Sequence, residues 1–359
     1  MYKIADWNKI SHNFTAVVLN KDWKLTLRLY SNILAAIFMS QVFTVLTVQA
    51  QDPEFSQFYA NPLYLNPALT GTGECSRIIF NYRNQWPSVP GNFVTYNAAA
   101  DFSLESISSG LGILINSDNA GDGTYITNRA SLIYSYHLTV GREVQLNAGA
   151  EATFHYQKFN FDNLIFQDMI DPATGDITGQ TGEMPPDNTT VMVSDFSFGL
   201  LLGVKEIFFI GISADHLSEP SLNYYNQTDK NKLYRKYTVH TGVKISTGKG
   251  YGNNNTDFVF LPQLLFQMQG NMHQMNIGIN VERYPIVVGA WFRHNFENTD
   301  GAIFMIGLKQ KRFRFGYSYD LSMSKLKGTS GGAHEVSLTM LINCNKKRNR
   351  PGAIKCPEF

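Results

Sequence analysis

Long stretches of this chain alternate apolar and polar residues with a period of two, and the polar face carries charge. From 144 to 156 one face reads Val144, Leu146, Ala148, Ala150, Ala152, Phe154 and Tyr156, and the other Gln145, Asn147, Gly149, Glu151, Thr153 and His155. A strand has this pattern when one side meets an apolar medium and the other meets water. The pattern returns at 273–283, where Met275, Ile277, Ile279 and Val281 alternate with Gln274, Asn276, Gly278, Asn280 and Glu282, and at 335–343 with Val336, Leu338, Met340 and Ile342. Phe313, Phe315, Tyr317 and Tyr319 alternate with Arg312, Arg314, Gly316, Ser318 and Asp320. A soluble sandwich also alternates, but its two sheets enclose an apolar core. Here Arg83, Arg129, Glu151, Lys244, Glu282, Arg314 and Glu335 lie opposite the apolar face. The polarity is inside out: apolar residues face lipid, and charged residues face a polar lumen. Lipid cannot satisfy the backbone of an open edge, so the sheet is expected to close on itself.

Segments of about ten residues recur near 76–85, 93–104, 110–117, 125–140, 143–158, 194–204, 207–216, 235–247, 256–268, 272–283, 286–295, 301–310, 312–320 and 334–343, fourteen in all. The predicted fold is all-β: a closed antiparallel transmembrane β-barrel of about 14 strands, of the outer-membrane type. The 13% aromatic share and 29 glycines suit strands joined by tight polar turns. A formal charge of +1 excludes the large grouped basic excess of a nucleic-acid binder. If the mature N-terminus starts in the periplasm, short turns should alternate with long outer loops. The joins at Gly141-Arg142, Lys205-Glu206, Tyr284-Pro285 and Gln310-Lys311 are brief, those at 160–193, 217–234 and 321–333 are long, and 247–255 is an exception on the short side.

Residues 33–48 are apolar apart from Ser40, Gln41 and scattered threonines, follow Lys21, Lys24 and Arg28, and lead to Val48-Gln49-Ala50. This reads as a secretory signal cleaved after Ala50, the apolar run being too short for a spanning helix. Four regions follow: an N-terminal extension and signal at 1–50, a proline-rich segment at 51–75, the barrel at 76–343 and a basic periplasmic tail at 344–359. The mature chain has 25 basic against 27 acidic residues, a charge of −2, made of +4 in the tail, with Lys346, Lys347, Arg348, Arg350 and Lys355 against Glu358, and −6 before it. Such a tail is a solvated end or a separate contact surface.

Three cysteines cannot all pair with one another. Cys75 precedes the first strand and Cys344 follows the last, so closure sets them side by side. A disulfide from Cys75 to Cys344 or to Cys356 is one expectation in an oxidising compartment, and three unpaired thiols are the other. The sequence holds no G-x-S-x-G elbow, H-E-x-x-H box, Cys-x-x-Cys pair or Walker lysine, and its histidines stand singly on different strands. No enzyme activity, cofactor or metal is expected. The run 118–123 (DNAGDG) lacks calcium-loop spacing and reads as a tight turn, and 248–252 (GKGYG) reads as a flexible turn.

Residues 52–71, DPEFSQFYANPLYLNPALTG, do not fit period two, since three prolines forbid a regular strand. This segment closely resembles the opening of the PorP/SprF family of type IX secretion system membrane proteins. So do 82–87 (YRNQWP), 90–96 (PGNFVTY), 319–322 (YDLS), 331–338 (GGAHEVSL) and 354–357 (IKCP). The resemblance implies a non-enzymatic outer-membrane protein of Bacteroidota. It implies capture, anchoring or export of a secreted surface adhesin through its C-terminal type IX signal, in secretion or gliding motility. The implied partners are that adhesin, other type IX secretion or gliding components, and outer-membrane lipid, with no nucleic acid. The alternative reading is a passive porin or solute channel. Phe55, Gln57, Phe58, Asn61, Pro62, Asn66, Pro67 and Gly71 form the candidate motif, either a structural plug in the barrel mouth or on its rim, or a partner site. Asn61-Pro62 and Asn66-Pro67 are expected to set turns whose amides satisfy their own backbone. Arg83, Arg129 and Arg314 against Glu151, Glu282 and Glu335 either neutralise one another across the lumen or grip an entering peptide.

Overall fold

The computed structural model describes residues 51–141, 143–177, 179–205, 207–225, 231–247, 258–296, 298–323 and 330–344. The expected signal, the 248–252 turn, Cys356 and the basic tail beyond Cys344 lie outside them.

The strands are β1 (Ser76–Gln85), β2 (Phe93–Leu104), β3 (Ser109–Ala120), β4 (Tyr125–Val140) and β5 (Val144–Phe159). β6 (Thr190–Val204), β7 (Phe208–Asp215), β8 (Lys236–Val243), β9 (Ile245–Ser246) and β10 (Val259–Gln269) follow. β11 (Met272–Arg283), β12 (Ile286–Asn295), β13 (Asn298–Lys309), β14 (Phe313–Ser322) and β15 (Ala333–Ile342) complete the wall. They form one sheet with consecutive neighbours, and β10–β11 pairing closes it. β9 continues β8 beyond Lys244 and shares β10 as partner, so the wall is a closed antiparallel barrel of fourteen staves. The last strand pairs with the first from Ser76↔Ile342 to Gln85↔Ala333. No backbone edge is left to the lipid.

Period two decides which way each side chain points. Phe80, Tyr96, Ile115, Leu132, Tyr134, Phe154, Phe196, Phe304 and Phe315 are exposed on the outer face, while Asn81, Asn97, Ser131, Asn147, Gln263, Asn276 and Ser337 are buried inside. A soluble fold has the opposite arrangement. No helix among the described residues is long and apolar enough to cross a membrane; this chain crosses with strands.

One rim carries the short turns at 104–109, 141–143, 205–207, 284–285 and 310–312, and the other carries the long connections 160–189, 216–235 and 323–332. The 118–123 run ends β3 in a turn with positive φ at Gly121, Asp122 and Gly123, and Asn119 Oδ1 accepts the Gly123 N–H at 2.6 Å. Cys75 and Cys344 are disulfide-bonded at the short-turn rim, with Cα atoms 4.6 Å apart and a separation of 269 positions in sequence. The bond ties β1 to β15 at the seam. Reducing it, or making Cys344→Ser, is expected to lower barrel stability by about 2–4 kcal/mol, read as a lower temperature for the heat-induced gel shift under reducing conditions. An unchanged transition temperature would show that strand pairing alone holds the seam.

The lumen departs from the expectation of a uniformly polar interior. Ile79, Leu114, Ile133, Leu201, Leu265, Val287, Trp291 and Ile303 also point inward and are buried. They stay dry because the chain's own 52–72 segment packs on them.

Candidate functional site

The segment 52–72 runs through the barrel. Its elements are a 3-10 turn at Phe58–Ala60, a four-residue helix α1 (Pro62–Leu65) and a second 3-10 turn at Pro67–Leu69. Pro62 and Pro67 sit at the first helical position, where a missing N–H costs nothing and the fixed φ is already helical. Asn66 Oδ1 accepts the Ala68 N–H at 2.9 Å, as its sequence context predicts. Asn61 does otherwise: it makes no side-chain cap, and its Oδ1 accepts from Asn97 Nδ2 of the wall at 3.0 Å. The wall offers a better-placed donor than the local backbone does.

Apolar contacts fill the middle of the barrel. Phe58, Tyr59, Leu65, Ala68 and Leu69 cluster with Leu201, Phe209, Leu265, Trp291 and Ile303, and Leu63 packs on Ile79, Ala99, Leu114 and Ile133. The Phe58 ring meets Trp291 edge-on at 4.7 Å between centroids. Each fully buried leucine contributes about 1.5–3 kcal/mol. Three wall glycines make room for the backbone. A Cβ on Gly149 would collide with Pro67 and Ala68, one on Gly199 with the Asn66 side chain, and one on Gly110 with the Thr70 carbonyl.

Polar contacts fix both ends of the segment. Toward the short-turn rim, Asp101 accepts from Gly71 N at 2.6 Å and from Arg77 Nε at 2.9 Å, while Ser135 Oγ donates to the Thr70 carbonyl at 2.6 Å. Toward the long-loop rim, the fully buried Glu335 accepts the backbone N–H groups of Ser56 and Gln57 at 2.6 and 3.0 Å. Ser337 Oγ donates to Gln57 Oε1 at 2.6 Å. Arg83 bridges Glu335 and Asp320 at 3.4 Å each, and Arg293 also binds Asp320.

The first described residues lie at the long-loop rim. Asp52 N donates to Gln269 Oε1 at 3.1 Å, and its carboxylate lies 2.9 Å from His216 Nε2, 3.7 Å from Lys236 Nζ and 4.0 Å from Arg129. Burial alone would raise the Asp52 pKa, but His216, Lys236 and Arg129 outweigh it and hold the carboxyl well below its usual range. Burial would likewise lower that of His216, but Asp52 and Asp195 outweigh it and hold the imidazole up at about 10. β1 starts at the short-turn rim, whereas the described residues ahead of it start at the opposite rim and pass down the lumen.

Phe55, Gln57, Phe58, Asn61, Pro62, Asn66, Pro67 and Gly71 are thus all buried inside the barrel rather than gathered at its rim. Among the six expected lumen charges, Arg83 and Glu335 meet, Arg129 turns to Asp52, and Glu282 pairs with Lys309 at 2.6 Å. Glu151 accepts from Thr153 at 3.0 Å, and Arg314 lies on the inward face near the short-turn rim. They do not neutralise one another as a single set. The missing partners, Asp52, Asp101, Arg77, Arg293, Lys309 and Asp320, had a legible signal: Arg77↔Asp101 and Arg83↔Glu335 are direct cross-strand pairs once hairpin register and closure are drawn.

A family model described as type IX secretion system membrane protein PorP/SprF matches residues 47–340. The chain belongs to this family. Several solved outer-membrane barrels are similar to it at low identity. The outer membrane protein Omp33 of Acinetobacter baumannii has 6% identity and a TM-score of 0.42, covering 75% of this chain and 98% of its own. The toluene transporter TodX of P. putida has 9% identity and a TM-score of 0.46, covering 77% and 92%. The KdgM porin has 7% identity and a TM-score of 0.35, covering 74% and 98%. A search of curated proteins found no match. As a PorP/SprF protein with a closed barrel, the chain is an outer-membrane component associated with type IX secretion. Outer-membrane barrels as a class keep short turns toward the periplasm and long loops toward the cell surface. The family is of a non-enzymatic kind.

Proposed function

We propose that this PorP/SprF barrel captures or anchors a secreted surface adhesin through the adhesin's C-terminal domain, at the long-loop end and without passing it through the lumen. The observation that carries this reading is the filled interior. A lumen packed by residues 52–72 has no room for a folded domain or a strand of cargo, so binding falls to the surface-exposed rim.

The loop 160–189 supports the reading. It bears Ile165, Ile170, Ile177 and Met184 as exposed side chains, Met184 at 81%, and an isolated bridge between Ile170 and Ile177 gives it a hairpin shape. Apolar side chains displayed on a surface loop, beyond the lipid-facing strands, are the mark of a protein contact. The Pro185-Pro186 corner stiffens its return toward β6.

Affinity purification from native membranes, followed by mass spectrometry, tests this. Recovery of a large adhesin and of secretion components is expected, and Ile170→Asp with Ile177→Asp should cut adhesin recovery about tenfold or more with the barrel intact. Recovery of neither, together with steady single-channel current from the native barrel, would favour a passive porin.

A further inference from the structure

Besides the Glu335 contacts, the register of β5, β6 and β7 assembles a second polar centre that adhesin capture does not use. His155 from β5, Asp195 from β6 and His216, one residue past β7, each offer a donor atom, and the three atoms lie within 4.8 Å of one another. His216 Nδ1 is 2.6 Å from Asp195 Oδ2, and His155 Nε2 is 3.8 Å from the same oxygen. All three residues are more than nine-tenths buried. Neither ring nitrogen of His155 has a hydrogen-bond partner, and a buried polar group in that state calls for an explanation. The residues line an enclosed cavity of about 10 Å³, room for a single water-sized occupant.

The lining is rich in carboxylates. Asp52, Glu151, Asp195 and Asp215 line the cavity against Arg129 and Lys236. With both imidazoles neutral, as ligation requires, four carboxylates against two cations leave a charge of −2. One dication balances it. The donors are of the mixed imidazole and carboxylate kind that suits zinc and its neighbours, not the all-oxygen set of calcium or magnesium.

We propose that His155, Asp195 and His216 bind one divalent transition-metal ion of the zinc class, and that Asp52 orients His216 by holding its other ring nitrogen. The Asp52 contact, His216 Nε2 to Oδ2 at 2.9 Å, matches the carboxylate–histidine–metal arrangement that fixes a ligand's tautomer and direction. Since Asp52 belongs to the threaded segment and the three ligands belong to the wall, the ion couples occupancy of the lumen to metal supply.

The test uses the mature full-length barrel in detergent, purified with a tag free of histidine, stripped with chelator and titrated with Zn²⁺ or Co²⁺. One tightly held equivalent per barrel is expected after desalting, and Co²⁺ should give the visible absorption of a low-coordinate nitrogen and oxygen site. His155→Gln and His216→Gln should each abolish both signals while keeping the heat-induced gel shift of a folded barrel. Asp52→Asn should weaken Zn²⁺ about 10–100-fold while keeping the stoichiometry. Should a histidine variant fail to fold, Zn²⁺ protection of the wild-type barrel against thermal unfolding is the second readout. Absence of an equivalent and of protection, or binding that persists in both histidine variants, overturns the proposal. An unaltered affinity in Asp52→Asn removes the orienting role.

Discussion

Deleting residues 52–71 turns a silent barrel into a conducting one. In planar lipid bilayers the native protein is expected to pass little current, and the deletion variant to show discrete open steps of long duration. The argument is geometric. Barrels of roughly eight strands are filled by their own wall side chains, and those of roughly sixteen leave an aqueous channel. A wall of fourteen staves lies between them, wide enough to need a filler and too wide to close itself. The filler is the segment that buries Leu63, Leu69, Phe58 and Asn66. Its removal exposes Glu335, Arg83 and Asp101 to water rather than to a void, so their desolvation is relieved and the wall is expected to assemble. Gly149→Val gives a weaker form of this result by a point change, because its side chain takes the space of the Pro67 and Ala68 backbone. Overpacking of this kind costs about 1–3 kcal/mol or more. It should show as new protease cleavage within 52–72 and as intermittent opening. A deletion variant as silent as the native barrel would mean that the wall or the long loops close the pore, and the filled lumen would lose its functional meaning.

The wall was legible in the sequence because a single rule, period two with one face in lipid, governs every stave. β2, β4, β11 and β12 have the expected bounds. Departures occur where a neighbour prolongs the pairing. β3 runs on to Ala120 because Asp118 still opposes Thr95 and accepts its hydroxyl at 2.6 Å. β6 starts at Thr190 because β5 reaches Lys158 beside it. The interior was not legible in the same way, since alternation says which face is inward but not what stands against it. There was nevertheless a trace. In β13, Ile303 and Met305 face inward while Phe304 and Ile306 face lipid, and a strand apolar on both faces means an apolar occupant of the lumen. The cluster of His155, Asp195 and His216 was hidden for another reason: its members are up to 61 residues apart and meet only through the register of β5, β6 and β7.

Asp101→Ala is expected to destabilise the barrel by about 3–5 kcal/mol, the usual cost of removing one partner from a buried ion pair. Asp101 and Arg77 are both nearly inaccessible to water. The carboxylate takes the Arg77 Nε–H at 2.9 Å and the Gly71 N–H at 2.6 Å, so it joins β1, β2 and the end of the threaded segment. Alanine deprives a buried guanidinium of its carboxylate and a buried N–H of its acceptor at once. The double change Arg77→Met with Asp101→Leu removes both charges while keeping volume, and it should recover most of the loss, because the desolvation penalty of the pair disappears with the pair. The Gly71 N–H still loses its Asp101 acceptor in the double variant, so recovery stops about 1–3 kcal/mol short. Chemical unfolding in detergent, followed by tryptophan fluorescence, measures all three proteins. If Asp101→Ala unfolds with the native midpoint, water reaches this pair from the periplasmic rim, and the segment is held by its apolar contacts and by Glu335 instead.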